Sequence, residues 1–272
     1  MNLKGSLCDL SSPKVMGILN VTPDSFYDGG RHNAIDSVLK RVELMMKEGV
    51  DILDVGGYST RPNAPEVSVE EELNRVLPAI EQVHAHFPDL PISIDSFRAE
   101  VAKQAVEAGA SMVNDVSGGN LDEDMFHTVA SLQVPYVLMH MRGNPATMQQ
   151  FTHYEDLMVD IVQELSEKLF KLKKLGVNDI IVDPGVGFSK TLEQNYEMLK
   201  KMTYFEVLEC PLLIGVSRKS MIYKLLDSSA DDALIGTAAV NMMALHNGAK
   251  LLRVHDVKAA KDVVTIFNQM NS

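Results

Sequence analysis

The stretch YEDLMVDIVQELSEKLFKLKKLGVNDIIVD, residues 154–183, contains one complete structural unit of the chain. Its apolar residues recur at spacings of three and four, which predicts an amphipathic helix over Tyr154–Leu175. Gly176 follows as a helix C-cap, because glycine adopts the left-handed conformation at little cost. A short β-branched run, Ile180–Val182, predicts a buried strand that ends at Asp183. Helix, glycine, strand and acidic strand end therefore form one unit.

The same alternation runs through the whole chain. The strand candidates are Val15–Asn20, Asp51–Val55, Ile92–Ile94, Met112–Asn114, Tyr136–Met139, Ile180–Val182, Leu212–Gly215 and Lys250–Val254. Glycine closes a helical pattern ahead of a strand at four places, Gly49, Gly109, Gly176 and Gly248. Parallel strands need crossover helices, so this alternation predicts an α/β fold, a (β/α)8 TIM barrel. We expect a single domain over residues 1–272, with an open doubly wound sheet as the structural alternative.

Composition restricts the class of protein further. The chain is 46% hydrophobic and 23% charged, which is typical of a globular protein. It has two cysteines, too few for a disulfide framework, and its apolar runs are too short to span a bilayer. With no apolar signal region at the N-terminus, we expect a cytoplasmic protein without a membrane partner. The net charge of −12 argues against a nucleic-acid partner, and an anionic substrate would need a local cluster of basic residues.

The predicted strands end in polar residues. In order, these strand ends carry Asn20, Asp54, Asp95, Asn114, His140, Asp183, Ser217 and Arg253. The active sites of barrel enzymes lie at the carboxyl ends of the strands. An unpaired buried carboxylate is costly, so several strand ends of this kind predict one shared polar pocket.

Two kinds of chemistry are represented at this rim. The cationic side chains are Arg61, Arg218, Lys219, Arg253 and His255, accompanied by the hydroxyls of Thr60 and Ser220. Arginine and lysine converging from separate segments suit a phosphate or pyrophosphate. Asn20 could offer an oxygen ligand to Mg²⁺. Asp95, Asn114 and Asp183 suit a flat heterocycle with ring N–H and amino groups, and a carboxylate could also stabilise developing positive charge.

Several of these residues also have a purely structural interpretation. Asp54 could brace the barrel mouth or contact substrate, and both remain open. We expect Asp115 and His140 to brace the rim, and Met139 to be core filler or a pocket wall. Glu70–Glu72 lie in a first helical turn, where acids favour the helix dipole.

The separated motifs together resemble those of the bacterial dihydropteroate synthase family over nearly the whole chain. The matching segments are Met16–Phe26, Asp54–Pro62, Ser93–Ser96, Asn114–Gly118, Asp183–Phe188, Ser217–Ser220 and Arg253–His255. The second motif departs from the family pattern, which commonly has Glu at the position of Tyr58 and Gly at that of Asn63.

The resemblance implies a reaction and a set of site residues. The family condenses 6-hydroxymethyl-7,8-dihydropterin diphosphate with 4-aminobenzoate in folate biosynthesis, releasing pyrophosphate. By analogy the pterin site contains Asp95, Asn114, Met139, Asp183 and Lys219, of which Asp95, Asp183 and Lys219 are the candidate catalytic residues. The pyrophosphate site would contain Asn20, Thr60, Arg61, Arg253 and His255, with Mg²⁺ bound at Asn20. The 4-aminobenzoate site would contain Thr60, Pro62, Phe188 and Ser220.

The resemblance also implies a homodimer and sulfonamides as competitors of 4-aminobenzoate. We further expect the segments Thr22–Asn33 and Tyr58–Pro65 to order over bound pyrophosphate. Three other functions are considered: a pterin-binding methyltransferase on a similar barrel, a non-catalytic pteridine-binding barrel, and a phosphate-binding aldolase or isomerase. The basic cluster argues against the methyltransferase, and pyrophosphate release would exclude the non-catalytic protein.

Overall fold

The structure, a computed structural model, describes residues 1–3, 5–21, 30–59 and 66–271, without the side chains of residues 30–34. The strands in these ranges are β1 (Asn2–Leu3), β2 (Ser6–Leu7), β3 (Lys14–Asn20), β4 (Ile52–Gly56), β5 (Ile92–Asp95), β6 (Met112–Asp115), β7 (Tyr136–Met139), β8 (Ile180–Asp183), β9 (Leu212–Ile214) and β10 (Ala249–Val254). The α-helices there are α1 (Gly30–Lys47), α2 (Val69–His86), α3 (Ala99–Glu107), α4 (Met125–Leu132), α5 (Leu157–Lys174), α6 (Leu192–Lys200), α7 (Ser220–Tyr223), α8 (Leu234–His246) and α9 (Val257–Met270).

Strands β3 to β10 form a closed barrel in which β10 pairs with β3, and every pairing is parallel. The predicted (β/α)8 barrel is therefore confirmed, and the open doubly wound sheet is excluded. Each of the eight predicted strands matches an observed one to within one residue at either end. The extent of the domain, residues 1–272, stays a prediction.

The helices pack on the outside of the barrel around one continuous apolar core. Helix α5 begins at Leu157, later than predicted, because Asp156 caps it by accepting hydrogen bonds from the backbone N–H groups of Met158 and Val159. The four predicted C-capping glycines all have positive φ, for example +86° at Gly176. No helix in the described ranges is long and apolar enough to cross a bilayer.

The barrel interior changes character from its amino end to its carboxyl end. Near the amino end it is lined by Met16, Ile52, Met112, Val137, Ile181, Leu213 and Leu251. Side chains of a strand alternate between the two faces, so the next inward position lies two residues further along. These next positions are Ile18, Asp54, Asn114, Met139, Asp183, Gly215 and Arg253. The barrel therefore has an apolar floor and a largely polar upper layer, from which the candidate site is built.

The antiparallel pair β1–β2, which the sequence analysis did not predict, closes the amino end of the barrel. Leu3 is only 4% exposed and belongs to the apolar floor, and Met1, Cys8 and Leu10 pack against the same residues. This covers the end of the barrel opposite the candidate site.

Candidate active site

The interior of the site is organised by Arg253 on β10. Its Nε donates to Asp54 Oδ2 at 2.6 Å, and a terminal nitrogen donates to Asp95 Oδ2 at 2.5 Å. Asn114 Nδ2 donates to the same oxygen of Asp54 at 3.1 Å. One guanidinium and one amide thus join residues of four strands. Asp54 is fully buried in this cluster and braces the site through Oδ2. Its contact with substrate, the other role considered for it, stays a prediction.

Asp95 lies at the end of β5, next to Gly56 in the parallel register. Burial raises the pKa of its carboxyl group to about 7; Arg253 opposes this increase, and the charge of Asp54 adds to it. A side chain at Gly56 would contact both Asp95 and the amide oxygen of Asn20. The absence of that side chain leaves Asn20 and Asp95 as neighbours on one rim.

Asp183 ends β8 and is held by the segment that follows it. Its Oδ1 accepts a hydrogen bond from the backbone N–H of Gly185 at 2.7 Å. Burial raises the pKa of the Asp183 carboxyl group, and the positive charge of Lys219 opposes the rise. The carboxylate and the ammonium group are therefore close enough to influence each other's ionisation.

Lys219 follows β9 and reaches back over the β8 end. Its Nζ donates to the carbonyl oxygen of Val186 at 2.5 Å and lies 4.6 Å from the ring centroid of Phe188. Burial lowers the pKa of Lys219 to about 8, with Asp183 acting in the opposite direction. Arg218 precedes Lys219 in a left-handed conformation, φ +56°, and pairs through two nitrogens with Asp256. Arg218 thereby anchors the turn that carries Lys219.

The remaining described candidates lie around this centre. Asn20 is exposed at the end of β3, and Ser220 is exposed as the first residue of α7. Met139 is buried and packs with Phe188 in a small apolar cluster. The backbone N–H of His255 donates to Ser217 Oγ at 3.1 Å, and its ring Nδ1 lies 3.1 Å from the same oxygen.

Thr60, Arg61 and Pro62 lie outside the described residues, as do most of the two segments expected to order over pyrophosphate.

Arg253 was predicted to bind diphosphate, but its guanidinium points into the interior and is paired with two carboxylates. Its contact with diphosphate stays a prediction.

The expected bracing residues do brace the rim. Asp115 accepts hydrogen bonds from the hydroxyl group of Tyr136 and from the backbone of Ser117, on the outer side of the barrel. His140 is buried and lies 3.0 Å from Glu164. The interpretation of Glu72 as a helix-dipole acid was incomplete: it is fully buried and pairs with Arg98 at 2.7 Å. Neither sequence spacing nor charge alone distinguished Glu72 from its exposed neighbours.

Sequence reasoning missed two cations. Arg98 donates to the carbonyl oxygen of Val67 at 2.5 Å and lies over the ring of Tyr58. It therefore contacts one residue that precedes positions 60–65 in the chain and one that follows them. Lys190 is buried beneath the segment that joins β8 to α6. In the sequence each looks like an ordinary solvated charge, although the position of Lys190 directly after the Asp183–Phe188 motif was an available signal.

A closed barrel with acid, amide and ammonium groups at its carboxyl end matches known proteins. The sequence model of the family described as "Pterin binding enzyme" matches residues 16–255. A dihydropteroate synthase of Synechocystis is 45% identical over 94% of this chain and 89% of its own. A Yersinia pestis dihydropteroate synthase structure with a sulfonamide drug complex has a TM-score of 0.92 at 40% identity, covering 100% of this chain and 98% of its own. A Xanthomonas albilineans dihydropteroate synthase structure with 4-aminobenzoic acid has a TM-score of 0.91 at 40% identity, covering 98% and 96%.

These likenesses extend over the barrel and over every motif that supplies the candidate site. The chain belongs to the pterin-binding enzymes and, among them, to the dihydropteroate synthase family.

Proposed function

We propose that the barrel mouth condenses 6-hydroxymethyl-7,8-dihydropterin diphosphate with 4-aminobenzoate, forming 7,8-dihydropteroate and pyrophosphate. The observation that carries this proposal is the convergence of Asp95, Asn114, Asp183 and Lys219 at one end of the barrel. Planar acceptors and an adjacent ammonium group suit the amino and ring nitrogen atoms and the carbonyl oxygen of a pterin. The test is the simultaneous formation of both products by the purified protein.

The reaction would follow an SN1-like route. The C–O bond between the pterin methylene and the diphosphate breaks, and its electron pair leaves with pyrophosphate. The positive charge that develops on the methylene and ring lies near Asp95 and Asp183, whose carboxylates stabilise it. The neutral arylamine then forms the C–N bond and loses one proton to solvent. An aniline nitrogen is already unprotonated at pH 7, so no base is needed before the attack.

The arylamine would bind on the loop side of the pterin. Phe188 supplies an aromatic wall beside Lys219, and the exposed hydroxyl of Ser220 can donate to a carboxylate. Thr60 and Pro62 complete the proposed pocket from the segment outside the described residues. Because a sulfonamide drug is bound in the structure of the Yersinia pestis relative, we expect sulfonamides to compete here.

Diphosphate would bind at the outer rim, near Asn20 and His255, with Arg61 and Arg253 as further candidates. Asn20 offers an exposed oxygen at the end of β3, and the described residues contain no cluster of three or more acidic, histidine or cysteine ligands. Such a site fits Mg²⁺, which usually takes few protein ligands and shares phosphate oxygens. When bound, the ion would neutralise charge on the leaving pyrophosphate.

A homodimer is supported by an apolar surface around α8. Ile235 is 84% exposed and Leu226 is 54% exposed. The side chain of Leu226 approaches Gly236, the residue after Ile235, so the two exposed side chains come from neighbouring parts of the surface. An apolar patch of this kind marks an interaction surface, and we assign it to a second copy of the chain.

Light scattering during gel filtration tests this assignment. Ile235→Glu places a charge in the patch and should shift the protein from dimer to monomer. Phe170→Glu, at another exposed apolar position, on α5, is the matched control and should leave the dimer intact. A monomeric wild-type protein would contradict the proposal.

We assign the protein to the cytoplasm, where its cysteines, Cys8 and Cys210, both free, would remain reduced. The site argues against the pterin-binding methyltransferase considered from the sequence. Such an enzyme needs the pterin residues but not a basic diphosphate site, and His255 at the rim therefore favours the synthase.

A further inference from the structure

The segment between Asp183 and Lys190 is held from two sides by lysine side chains. Lys219 donates to the carbonyl of Val186 from the substrate side. On the opposite side, Lys190 Nζ lies 3.1 Å from the carbonyl oxygen of Gly185 and 3.0 Å from that of Phe188. Lys190 is 3% exposed, so its contacts are with the protein rather than with water.

We propose that Lys190 is a positioning residue for the arylamine subsite. It fixes the 184–189 segment so that the Phe188 ring and the Val186 carbonyl group stand beneath Lys219. The proposal rests on the proposed function, since it concerns the pocket assigned above to 4-aminobenzoate.

The backbone of this segment explains why it needs a buried cation. Gly185, Gly187 and Ser189 have φ values of +73°, +83° and +46°, so the chain reverses direction repeatedly. A side chain at Gly185 would lie 2.0 Å from the carbonyl oxygen of His140, so the segment packs directly on the backbone there. Carbonyls turned inward by such a path need a donor, because a buried unpaired carbonyl group is costly.

The third partner of Lys190 is the imidazole of His140, whose Nδ1 lies 3.1 Å from Nζ. Glu164 of α5 lies 3.0 Å from the other ring nitrogen, Nε2, and fixes the orientation of the ring. Burial lowers the pKa of His140 to about 4, so the ring is neutral at pH 7 and its Nδ1 can accept while Nε2–H donates to Glu164. Burial lowers the pKa of Lys190 to about 7, with Asp183 acting in the opposite direction. In its protonated form, the three N–H bonds of Lys190 match the two carbonyl groups and the imidazole nitrogen.

The contacts that run from Lys190 through His140 to Glu164 continue to Arg142 and Tyr154. Arg142 Nε donates to Glu164 Oε1 at 2.8 Å, and its guanidinium lies 4.0 Å from the ring centroid of Tyr154. The hydroxyl group of Tyr154 donates back to the carbonyl oxygen of Ser189 at 2.9 Å. The segment beneath the arylamine is therefore fixed at Gly185 and Phe188 by Lys190 and at Ser189 by Tyr154.

Lys190→Met tests the role by removing the donors while keeping a side chain of similar length. Losing the donors leaves buried carbonyl groups unpaired, so we expect the KM for 4-aminobenzoate to rise about tenfold, which corresponds to about 1.4 kcal/mol. The kcat should fall less than KM rises. The Kd for 6-hydroxymethylpterin, measured by calorimetry, should rise by a smaller factor than this KM, because Asp183 and Lys219 contact the segment but Asp95 and Asn114 lie on other strands.

Lys168→Met is the matched control. Lys168, on α5, is partly buried, and its Nζ lies 3.5 Å from a backbone carbonyl oxygen, that of Ser117 after β6. This variant should lower the melting temperature but leave the KM for 4-aminobenzoate unchanged. An equal rise in KM in the two variants would show a general loss of stability and would overturn the proposal.

Glu164→Gln provides a second test if Lys190→Met fails to fold. It retains the shape of the side chain but weakens the orientation of His140, so the KM for 4-aminobenzoate should rise by a smaller factor than in Lys190→Met, and the Kd for the pterin should rise less than this KM. A folded Glu164→Gln or Lys190→Met protein with unchanged KM would contradict the role of Lys190. A wild-type protein that forms no dihydropteroate would instead contradict the proposed function.

Discussion

At the scale of single residues, Asp95 is subject to two opposing influences. Burial favours its neutral form, whereas Arg253, paired with it at 2.5 Å, favours the carboxylate. The balance leaves its pKa at about 7, so a modest change in pH or partner changes its charge. A carboxylate in this position is more effective toward a developing cation than one exposed to water, because the surroundings screen it less.

Asp95→Ala should lower kcat by about 10²–10³, the usual effect of removing one well-placed electrostatic stabiliser. Binding of 4-aminobenzoate should weaken far less, because this residue lies on the pterin side. Steady-state kinetics with calorimetric binding measures both quantities. A near-normal kcat in a folded Asp95→Ala protein would rule out the carbocation-stabilising role.

The pKa values of Asp95 and Lys219 predict a pH dependence of kcat/KM for the dihydropterin diphosphate. Below pH about 7 Asp95 is protonated and loses its negative charge; above about 8 Lys219 is deprotonated and loses its positive charge. The rate should therefore be greatest between these values and fall on both sides. In Asp95→Asn the acidic decline due to this group should disappear, and only the declines due to Asp183, whose pKa burial also raises, and to ionisation of the substrate should remain. An acidic decline identical in Asp95→Asn and wild type would assign it to another group.

At the scale of elements, the segment after β8 requires glycine for two separate reasons. Gly185 has positive φ, and a side chain there would collide with the backbone of His140. Gly176, at the end of α5, has φ +86° but open space around it. Comparing substitutions at the two glycines therefore separates the cost of a left-handed backbone from the cost of a steric collision.

Gly176→Ala should cost about 1–2 kcal/mol in the free energy of unfolding, the penalty for a left-handed alanine. Gly185→Ala should cost about 1–3 kcal/mol more because the collision adds to that penalty. It should also raise the KM for 4-aminobenzoate, which Gly176→Ala should not. Denaturant unfolding and steady-state kinetics would test both expectations. Equal destabilisation by the two variants would mean that the segment relaxes around the new methyl group.

The strands and the polar rim were predictable because their signals are local and repeated. Each barrel strand is a short, largely apolar run that is followed by a helical pattern, and several of the strands end at an acid or amide. The pair β1–β2 was missed because strands of two residues carry no periodicity. Lys190 was missed because its place two residues after the Asp183–Phe188 motif does not show that its side chain turns back beneath its own segment. The inward orientation of Arg253 depends on Asp54 and Asp95, which only the closed barrel brings next to it.

At the scale of the whole molecule, the residues that stabilise the barrel and those that would carry out the reaction lie at opposite ends of it. Its amino end is an apolar floor covered by β1 and β2, and its carboxyl end holds the charged residues. Barrel enzymes usually divide these tasks between the two ends. Changes at the floor should therefore alter the free energy of unfolding and leave the reaction unaffected.

Leu3→Ala tests this separation. Removing a buried leucine side chain should cost about 2–5 kcal/mol in the free energy of unfolding, measured by denaturant titration. At a temperature where the variant is fully folded, kcat and both KM values should match those of wild type. A large change in kcat would mean that the floor and the site are coupled.

The most direct test of the account is a turnover assay with dihydropterin diphosphate, 4-aminobenzoate and Mg²⁺, in which pyrophosphate and dihydropteroate are measured together. We expect pyrophosphate and dihydropteroate to appear in equal amounts and a chelator of divalent cations to abolish the formation of both. Pyrophosphate without dihydropteroate would contradict the assigned acceptor. If neither product appeared while the pterin still bound, the synthase function would be wrong, and methyl transfer or a purely binding role would take its place.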